Sequence, residues 1–188
     1  MSRTIRVATG NAAKMEMIGR FLAAAGLTPV MADPGDAEDL APLGYESAVL
    51  AKLAGVVAGD PGDHSPVVAH DCGFEFECLG GAPGADTKKW LTQVGPDISG
   101  VLTPNTAVRV VHWAALRLGS QTHTFSETDL RTVPERWAVT NRGLPLTDCF
   151  PGPSDGLQRL MTRVAAQILT EAKLRTEVEE EPRWALKE

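Results

Sequence analysis

The amino-acid sequence predicts a mixed α/β fold organised around one sheet. Segments with strand and helix periodicity alternate through the first half of the chain, a long apolar hairpin follows, and an amphipathic helix comes last. The 188 residues suit one domain, and no stretch has the composition of a linker. We therefore expect one domain over residues 1–175, followed by an acidic C-terminal tail over residues 176–188.

The first half of the chain is predicted to alternate strands and helices. Residues 4–9 alternate polar and apolar side chains and are rich in β-branched types, which predicts a strand. Residues 13–25 repeat apolar side chains at helical spacing, and Gly26 is a typical C-terminal stop. A short strand at 28–32 and an acidic, turn-rich loop then lead to a second helix at 46–58.

The segment around Asp71 is predicted to form two strands, over residues 65–70 and 74–79. Asp71 then stands at the end of the first strand and is followed by Gly73. The remaining predicted elements are a helix over 85–95, hairpin arms over 105–118 and 121–128, and an amphipathic helix over 155–173.

Charge and composition narrow the function classes. The net charge of −6 argues against DNA and anionic membrane surfaces as partners, because binding them requires clustered Lys and Arg. A small phosphorylated ligand needs only a local basic pocket. The three cysteines form no zinc-type pair, the N-terminus shows no secretory signal, and no apolar stretch approaches the ~18 residues of a membrane span. We expect a cytoplasmic protein.

The first candidate site is "ATGNAAK", residues 8–14. A strand ends, a glycine turn follows, and a helix begins with Asn11 near its cap. Backbone N–H groups and the helix dipole favour an anion there, and Lys14 could reach a phosphate oxygen. The spacing differs from that of a Walker A loop. The alternative is a capped helix with a purely structural role.

The second candidate site is Asp71, which stands where α/β sheets present catalytic groups. The alternative is a turn aspartate that hydrogen-bonds the backbone. His70 could be a metal ligand or a hydrogen-bonded strand residue, and a nucleophilic pair of His70 with Cys72 is a further possibility. The glycine loop at 80–84 precedes Lys88 and Lys89, which are either solvated or close to a ligand.

Taken together, "ATGNAAK", "HDCGFEFECLGGAPG" and "KKW" resemble, in order and spacing, the inosine triphosphate pyrophosphatase family. The resemblance covers roughly residues 4–95. It implies an elongated mixed α/β fold with a twisted sheet, flanking helices and two lobes around a central cleft, usually as a homodimer. It also implies magnesium-dependent hydrolysis of a nucleoside triphosphate to a monophosphate and pyrophosphate.

The resemblance assigns roles residue by residue. Asp71 and Lys14 would be catalytic, with Asp71 activating water or holding the metal. The implied substrate-binding residues are Thr9, Gly10, Asn11, Lys52, Gly73, Lys89, Asp148 and Arg159. The implied ligands of Mg²⁺, or of Mn²⁺ as the alternative metal, are Asp71, Asp39 and Glu38. The partner would be a small-molecule nucleotide, with no nucleic acid and no membrane.

The chain also departs from the family pattern. His70 stands where the family usually has Asp or Glu. Only fragments of the later base-enclosing motif survive in "GLPLTDCF", residues 143–150, and the Ser-His-Arg motif of the last helix is absent, with Arg159 or Arg163 as substitutes. These changes predict altered base specificity. The alternatives are a catalytically degenerate nucleotide-binding or regulatory protein, and a phosphohydrolase for a pyrimidine nucleotide or nucleoside monophosphate, as in the septum-formation Maf proteins.

Overall fold

The computed structural model describes residues 4–38, 44–94, 98–136, 146, 149–150 and 155–180. The strands are β1 (Thr4–Ala8), β2 (Thr28–Ala32), β3 (Val67–Phe76), β4 (Pro83–Gly84), β5 (Ala107–Leu118) and β6 (Gln121–Thr132). The helices are α1 (Ala12–Ala24), α2 (Tyr45–Gly59), α3 (Thr87–Val94) and α4 (Gly156–Glu180). The predicted mixed α/β fold is confirmed.

All of these strands belong to one sheet with the order β2-β1-β3-β5-β6, and β4 pairs with part of β3. β2, β1 and β3 are parallel, whereas β3, β5 and β6 are antiparallel. From β1 the chain passes through α1 to β2 on one side, and then through α2 to β3 on the other side. The connections therefore change direction between β1 and β3, which is where open α/β sheets bind ligands.

Three apolar clusters form the core. The α1/α4 cluster packs those two helices on one face of the sheet, around Leu22 and Leu160. The α2 cluster packs α2 on the opposite face, around Leu53. The phenylalanine cluster surrounds Phe74 and Phe76 at the far end of β3. The middle of β3 lies between the first two clusters and the third.

The prediction that Asp71 ends a strand is wrong. β3 is one continuous strand of ten residues, and Asp71 lies in its middle. β5 pairs with it along its whole length, from Val67 to Phe76, and this pairing keeps the segment extended through Gly73. The interpretation of Asp71 as a turn aspartate is therefore wrong as well.

Two element boundaries extend beyond the prediction. β6 reaches Thr132 because its pairing with β5 continues to Ala107. α4 continues to Glu180, so residues 176–180 of the predicted tail are helical. Among the described residues, no helix is both long enough and apolar enough to cross a membrane. The single domain over residues 1–175 stays a prediction.

Candidate active site

The turn between β1 and α1 is held by two of its own side chains. Asn11 caps α1, and its Oδ1 accepts hydrogen bonds from the backbone N–H groups of Ala13 at 2.9 Å and Lys14 at 3.1 Å. The backbone N–H of Asn11 donates to Thr9 Oγ1 at 3.1 Å. Because a helix N-terminus carries partial positive charge, this turn favours an anion in front of it.

Two lysines from different helices converge on Asp71. Lys52, from α2, donates from Nζ to Asp71 Oδ1 at 2.9 Å and to the carbonyl oxygen of His70 at 3.3 Å. Lys14, from α1, places its Nζ 3.5 Å from the same Oδ1. The side chains of Lys52 and Asp71 are only 4% and 7% exposed. Two ammonium groups therefore face one carboxylate, and each is a donor that an anionic ligand could also use.

Asp71 borders an interruption along one edge of β3. Pairing with β1 ends at Ala69, and pairing with β4 begins at Phe74. No described strand covers residues 70–73 on that edge, whereas β5 pairs along the whole of the other edge. The Asp71 carboxylate therefore lies at an opening in the sheet, beside the carboxyl end of β1.

A cavity of about 590 Å³ occupies this opening. Around Asp71, its lining is formed by Thr9, Gly10, Asn11, Lys14, Asp33 and Lys52. Around Phe74, its lining is formed by Cys72, Ala85, Thr87, Lys88, Leu91 and Leu146. Asp71 and Phe74 are three residues apart on an extended strand, which separates them by about 10 Å. The cavity thus has a polar part, which holds two lysines and two aspartates, and a more apolar part, and its volume suits a small-molecule ligand.

Comparison with known proteins identifies the family. The family model described as the Ham1 family matches residues 5–113, more than half of the chain. The chain belongs to the Ham1 family. The matched range contains the β1–α1 turn, Lys52 and Asp71, and the match confirms the resemblance to the inosine triphosphate pyrophosphatases. No curated protein sequence matches this chain.

Solved structures share the fold at low sequence identity. The HAM1 protein from Coxiella burnetii is 15% identical with a TM-score of 0.61, over 91% of this chain and 100% of that one. The Staphylococcus aureus Ham1 protein is 18% identical with a TM-score of 0.53, over 93% and 99%. The nucleoside-triphosphatase / dITP/XTP pyrophosphatase from Mycobacterium abscessus is 18% identical with a TM-score of 0.50, over 93% and 98%. Their common architecture is the mixed α/β fold described above.

The structure of this Ham1 family member brings together most of the site residues predicted from its N-terminal half. The predicted residues that line the cavity are Thr9, Gly10, Asn11, Lys14, Lys52 and Asp71. Gly73 lies beside the cavity with a packing role, because a Cβ there would overlap the carbonyl oxygen of Gly84 and approach Tyr45 Cε1 to 2.7 Å.

Lys89 lies outside the cavity lining. Its side chain is 59% exposed, and its Nζ is 3.8 Å from Asp86 Oδ1 at the surface. Lys88 lines the cavity instead. Thr87 determines which side of α3 faces the cavity. Its Oγ1 donates to the carbonyl oxygen of Gly84 at 2.7 Å and accepts from the backbone N–H of Phe74 at 2.9 Å.

Arg159 is also placed away from the cavity. Its guanidinium group pairs with Glu127 at 3.2 Å, with Asp129 at 3.3 Å and with Asp155. The pairs with Glu127 and Asp129 fasten the start of α4 to β6, which is a structural role. Asp39 and Asp148 lie outside the described residues, and Glu38 ends a 3₁₀ turn (Gly35–Glu38) without a described side chain.

Asp33 is a cavity residue that the sequence reasoning missed. It directly follows β2, and its Oδ1 accepts a hydrogen bond from the backbone N–H of Gly35 at 2.9 Å. The signal was available in the sequence, because parallel strands end at the same edge of a sheet. An aspartate after β2 therefore lies beside the β1–α1 turn.

His70 and Cys72 do not form a nucleophilic pair. Burial and the neighbouring His112 lower the pKa of His70 well below its usual value, so His70 is a poor proton acceptor. Desolvation and the Asp71 charge raise the pKa of the Cys72 thiol to about 12, so no thiolate forms near neutral pH. The side chain of His70 also points to the face of the sheet opposite Asp71, because successive strand residues alternate.

The described carboxylates of the cavity limit how a divalent metal could be held. Within the part of the chain that the structure describes, no group of three or more His, Cys, Asp or Glu side chains is arranged to hold one. Asp71 and Asp33 are the carboxylates of the cavity lining. Mg²⁺ commonly takes one or two protein carboxylates and completes its shell with phosphate oxygens and water. Asp71 therefore fits a cation that is bound together with a phosphorylated ligand.

Proposed function

We propose that this protein hydrolyses a nucleoside triphosphate to the monophosphate and pyrophosphate in a metal-dependent reaction. The observation that carries the proposal is the convergence of Lys14 and Lys52 on Asp71 at an opening of the sheet. Membership of the Ham1 family supports the nucleotide substrate, and one solved relative is named a dITP/XTP pyrophosphatase.

The polar part of the cavity is suited to the triphosphate. Lys14 is 22% exposed at its side chain and stands in the first turn of α1, so its ammonium group can turn from Asp71 towards a phosphate. Lys52 is nearly buried and stays with Asp71. The N-terminus of α1 adds its partial positive charge on the same side. These groups would neutralise the negative charge that develops as pyrophosphate leaves.

Asp71 is the group proposed to act on the attacking water. Within the described residues, both ion pairs of Asp71 are made by Oδ1, so Oδ2 is the atom proposed to accept a proton from water or to ligate a cation. When bound, Mg²⁺ or Mn²⁺ would supply further neutralisation of the phosphate charge, with Asp71 as the described residue that holds it. Lys52 would keep the carboxylate oriented towards the α-phosphorus.

The part of the cavity around Phe74 is proposed to receive the base. Phe74, Leu91 and Leu146 present apolar surface there, and Lys88 adds a cationic group. An apolar wall discriminates between bases less sharply than a set of matched hydrogen-bonding groups. This favours a base specificity that differs from that of enzymes built to recognise one purine.

Nucleotide binding without turnover is the second candidate function. It is favoured by His70, because that ring supplies no carboxylate beside Asp71 and turns to the opposite face. The predicted homodimer, the cytoplasmic location and the absence of a nucleic-acid partner stay predictions.

A hydrolysis screen of purified protein tests the proposal. It covers ITP, XTP, the standard ribo- and deoxyribonucleoside triphosphates and their mono- and diphosphates, with Mg²⁺, Mn²⁺ or EDTA, and measures pyrophosphate and phosphate separately. Pyrophosphate release that is lost in Asp71→Asn and kept in Asp86→Asn is the expected result. Asp86 is the matched control because its carboxylate is exposed and pairs with Lys89 outside the cavity lining. Tight nucleotide binding without turnover would favour the second candidate.

A further inference from the structure

In the described part of the chain, the segment of β3 that carries Asp71 is paired with a neighbouring strand on one edge and unpaired on the other. On the other edge, residues 70–73 lie between the end of the β1 pairing and the start of the β4 pairing in the described structure. Side-chain contacts on the two faces of the sheet therefore determine how firmly this segment is held.

On the face opposite Asp71, the ring of His70 is buried against His112. The two rings are stacked, with centroids 5.6 Å apart and an interplanar angle of 25°. Nε2 of His70 lies 3.4 Å from Nδ1 of His112, and the two residues are 3% and 6% exposed. The tautomers of the two rings decide which of these nitrogens donates to the other.

His112 connects this pair to the start of α4 through Asp129. Nε2 of His112 lies 3.7 Å from Asp129 Oδ2, and Asp129 Oδ1 accepts a hydrogen bond from the backbone N–H of Gly156 at 2.9 Å. Arg131 and Arg159 each pair with Asp129 at 3.3 Å. We call His70, His112 and Asp129 the histidine chain. It lies between the α1/α4 cluster and the phenylalanine cluster, on the same face of the sheet.

Among the described residues, two buried nitrogens of the histidine chain, His70 Nδ1 and His112 Nε2, have no hydrogen-bond partner. Buried polar atoms without partners oppose folding, and each one in a native structure calls for an explanation. His70 is one residue from Asp71, so part of this cost lies beside the proposed active site.

We propose that His70 is a positioning residue, which fixes the backbone segment that presents Asp71 and the Lys52 ammonium group. The link passes through the main chain. The carbonyl oxygen of His70 accepts from Lys52 Nζ at 3.3 Å, and the same Nζ donates to Asp71 Oδ1 at 2.9 Å. A shift of the His70 backbone therefore displaces two acceptors of Lys52 together. The kinetic effects expected from this role rest on the proposed function, because they require the protein to hydrolyse a nucleotide.

Two substitutions of His70 distinguish the effect of its hydrogen bond to His112 from the effect of its side-chain volume. His70→Leu removes the nitrogen that faces His112, whereas the amide of His70→Gln can still reach it. We expect His70→Leu to lower kcat about ten- to hundredfold, the effect of a small misplacement of reacting groups, with KM unchanged. His70→Gln should restore most of the activity. His112→Leu should reproduce the defect, and the double variant with His70→Leu should be no worse than either single variant.

Val68→Ala is the matched control for a purely structural effect. Val68 lies two residues earlier on the same face of β3 and is fully buried, but it lies outside the histidine chain. Its substitution should lower the melting temperature without changing kcat below the melting transition. A folded His70→Leu protein with the wild-type kcat would overturn the inference, and His112→Leu decides the matter if His70→Leu is insoluble.

A readout without substrate separates this inference from the proposed function. In protein labelled with ¹⁵N-lysine, the ammonium resonance of Lys52 is identified by its loss in Lys52→Met. We expect it to shift in His70→Leu and to return in His70→Gln, even if the wild-type protein hydrolyses no nucleotide. An unchanged Lys52 resonance in His70→Leu would overturn the positioning role, and absent turnover would overturn only the proposed function.

Discussion

Lys52 and Asp71 come from α2 and β3, and their Nζ and Oδ1 atoms meet at 2.9 Å with both side chains less than a tenth exposed. In a buried ion pair of this kind, each charge compensates the desolvation cost of the other, because either charge would be costly to bury alone. The pair joins the second helix of the fold to the strand at the opening of the sheet. The proposed active site and the stability of the fold therefore share these two residues.

The first prediction concerns this pair. Lys52→Met and Asp71→Asn should each lower the free energy of unfolding by about 3 kcal/mol, because each removes one charge of a buried ion pair. The double variant should lose clearly less than the sum of the two, as measured by urea denaturation. The exposed pair Lys89 and Asp86 is the matched control, and its coupling should stay below about 1 kcal/mol. Additive losses for Lys52 and Asp71 would contradict the prediction.

The second prediction separates two adjacent lysines. Lys88 lines the cavity and Lys89 lies at the surface with Asp86. If Lys88 contacts the nucleotide, Lys88→Met should raise KM about tenfold, the effect of one lost charge-assisted hydrogen bond. Lys89→Met should leave KM at the wild-type value. Steady-state kinetics on the preferred triphosphate measure both, and the reverse order would show that α3 turns its other side to the ligand.

The alternation of strands and helices could be predicted from periodicity, because the buried faces of α1 and α4 repeat apolar residues at helical spacing. The continuity of β3 could not. Gly73 interrupts the apolar pattern and indicates a break, yet β5 pairs through it, and the small residue is required because Gly84 approaches closely. Long-range pairing thus overrode a local signal.

The site shows the same limit. Lys14 and Asp71 could be recognised because their motifs are local, and Lys52 followed from the resemblance. Lys88 rather than Lys89 lines the cavity because of the side that α3 turns to it. The hydroxyl group of Thr87 fixes that side through two hydrogen bonds. Arg159 is held by Glu127 and Asp129, about thirty residues earlier in the chain. Neither the orientation of α3 nor the ion pairs of Arg159 could be predicted from the residues next to them in the sequence.

The third prediction concerns Gly73. A Cβ there would overlap the carbonyl oxygen of Gly84, which belongs to the backbone and cannot turn away. Gly73→Ala should therefore lower the free energy of unfolding by about 2 kcal/mol or more. Gly59→Ala is the control, because Gly59 ends α2 with no atom within 4 Å of a Cβ, and its substitution should be neutral or slightly stabilising. Urea denaturation compares the two, and an unaffected Gly73→Ala protein would show that β4 can move away from β3.

The fourth prediction is a loss of stability in mild acid. Burial lowers the pKa of His112 to about 4, and burial also lowers the pKa of His70. Between pH 6.5 and about 4 the unfolded chain therefore binds more protons than the folded protein, so stability falls as the pH falls through this range. The charge of Asp129 acts against this effect, because it raises the pKa of His112. The charges of Arg131 and Arg159 lower the pKa of His112.

The difference between wild type and His112→Gln isolates this effect from the carboxylates, which titrate in both proteins. Urea denaturation at a series of pH values should show that the wild type loses more stability than His112→Gln between pH 6.5 and 4. Equal losses would mean that His112 is protonated in the folded protein, with its charge balanced by Asp129. In that case the contact at 3.7 Å would be an ion pair, and the histidine chain would be strengthened rather than weakened in acid.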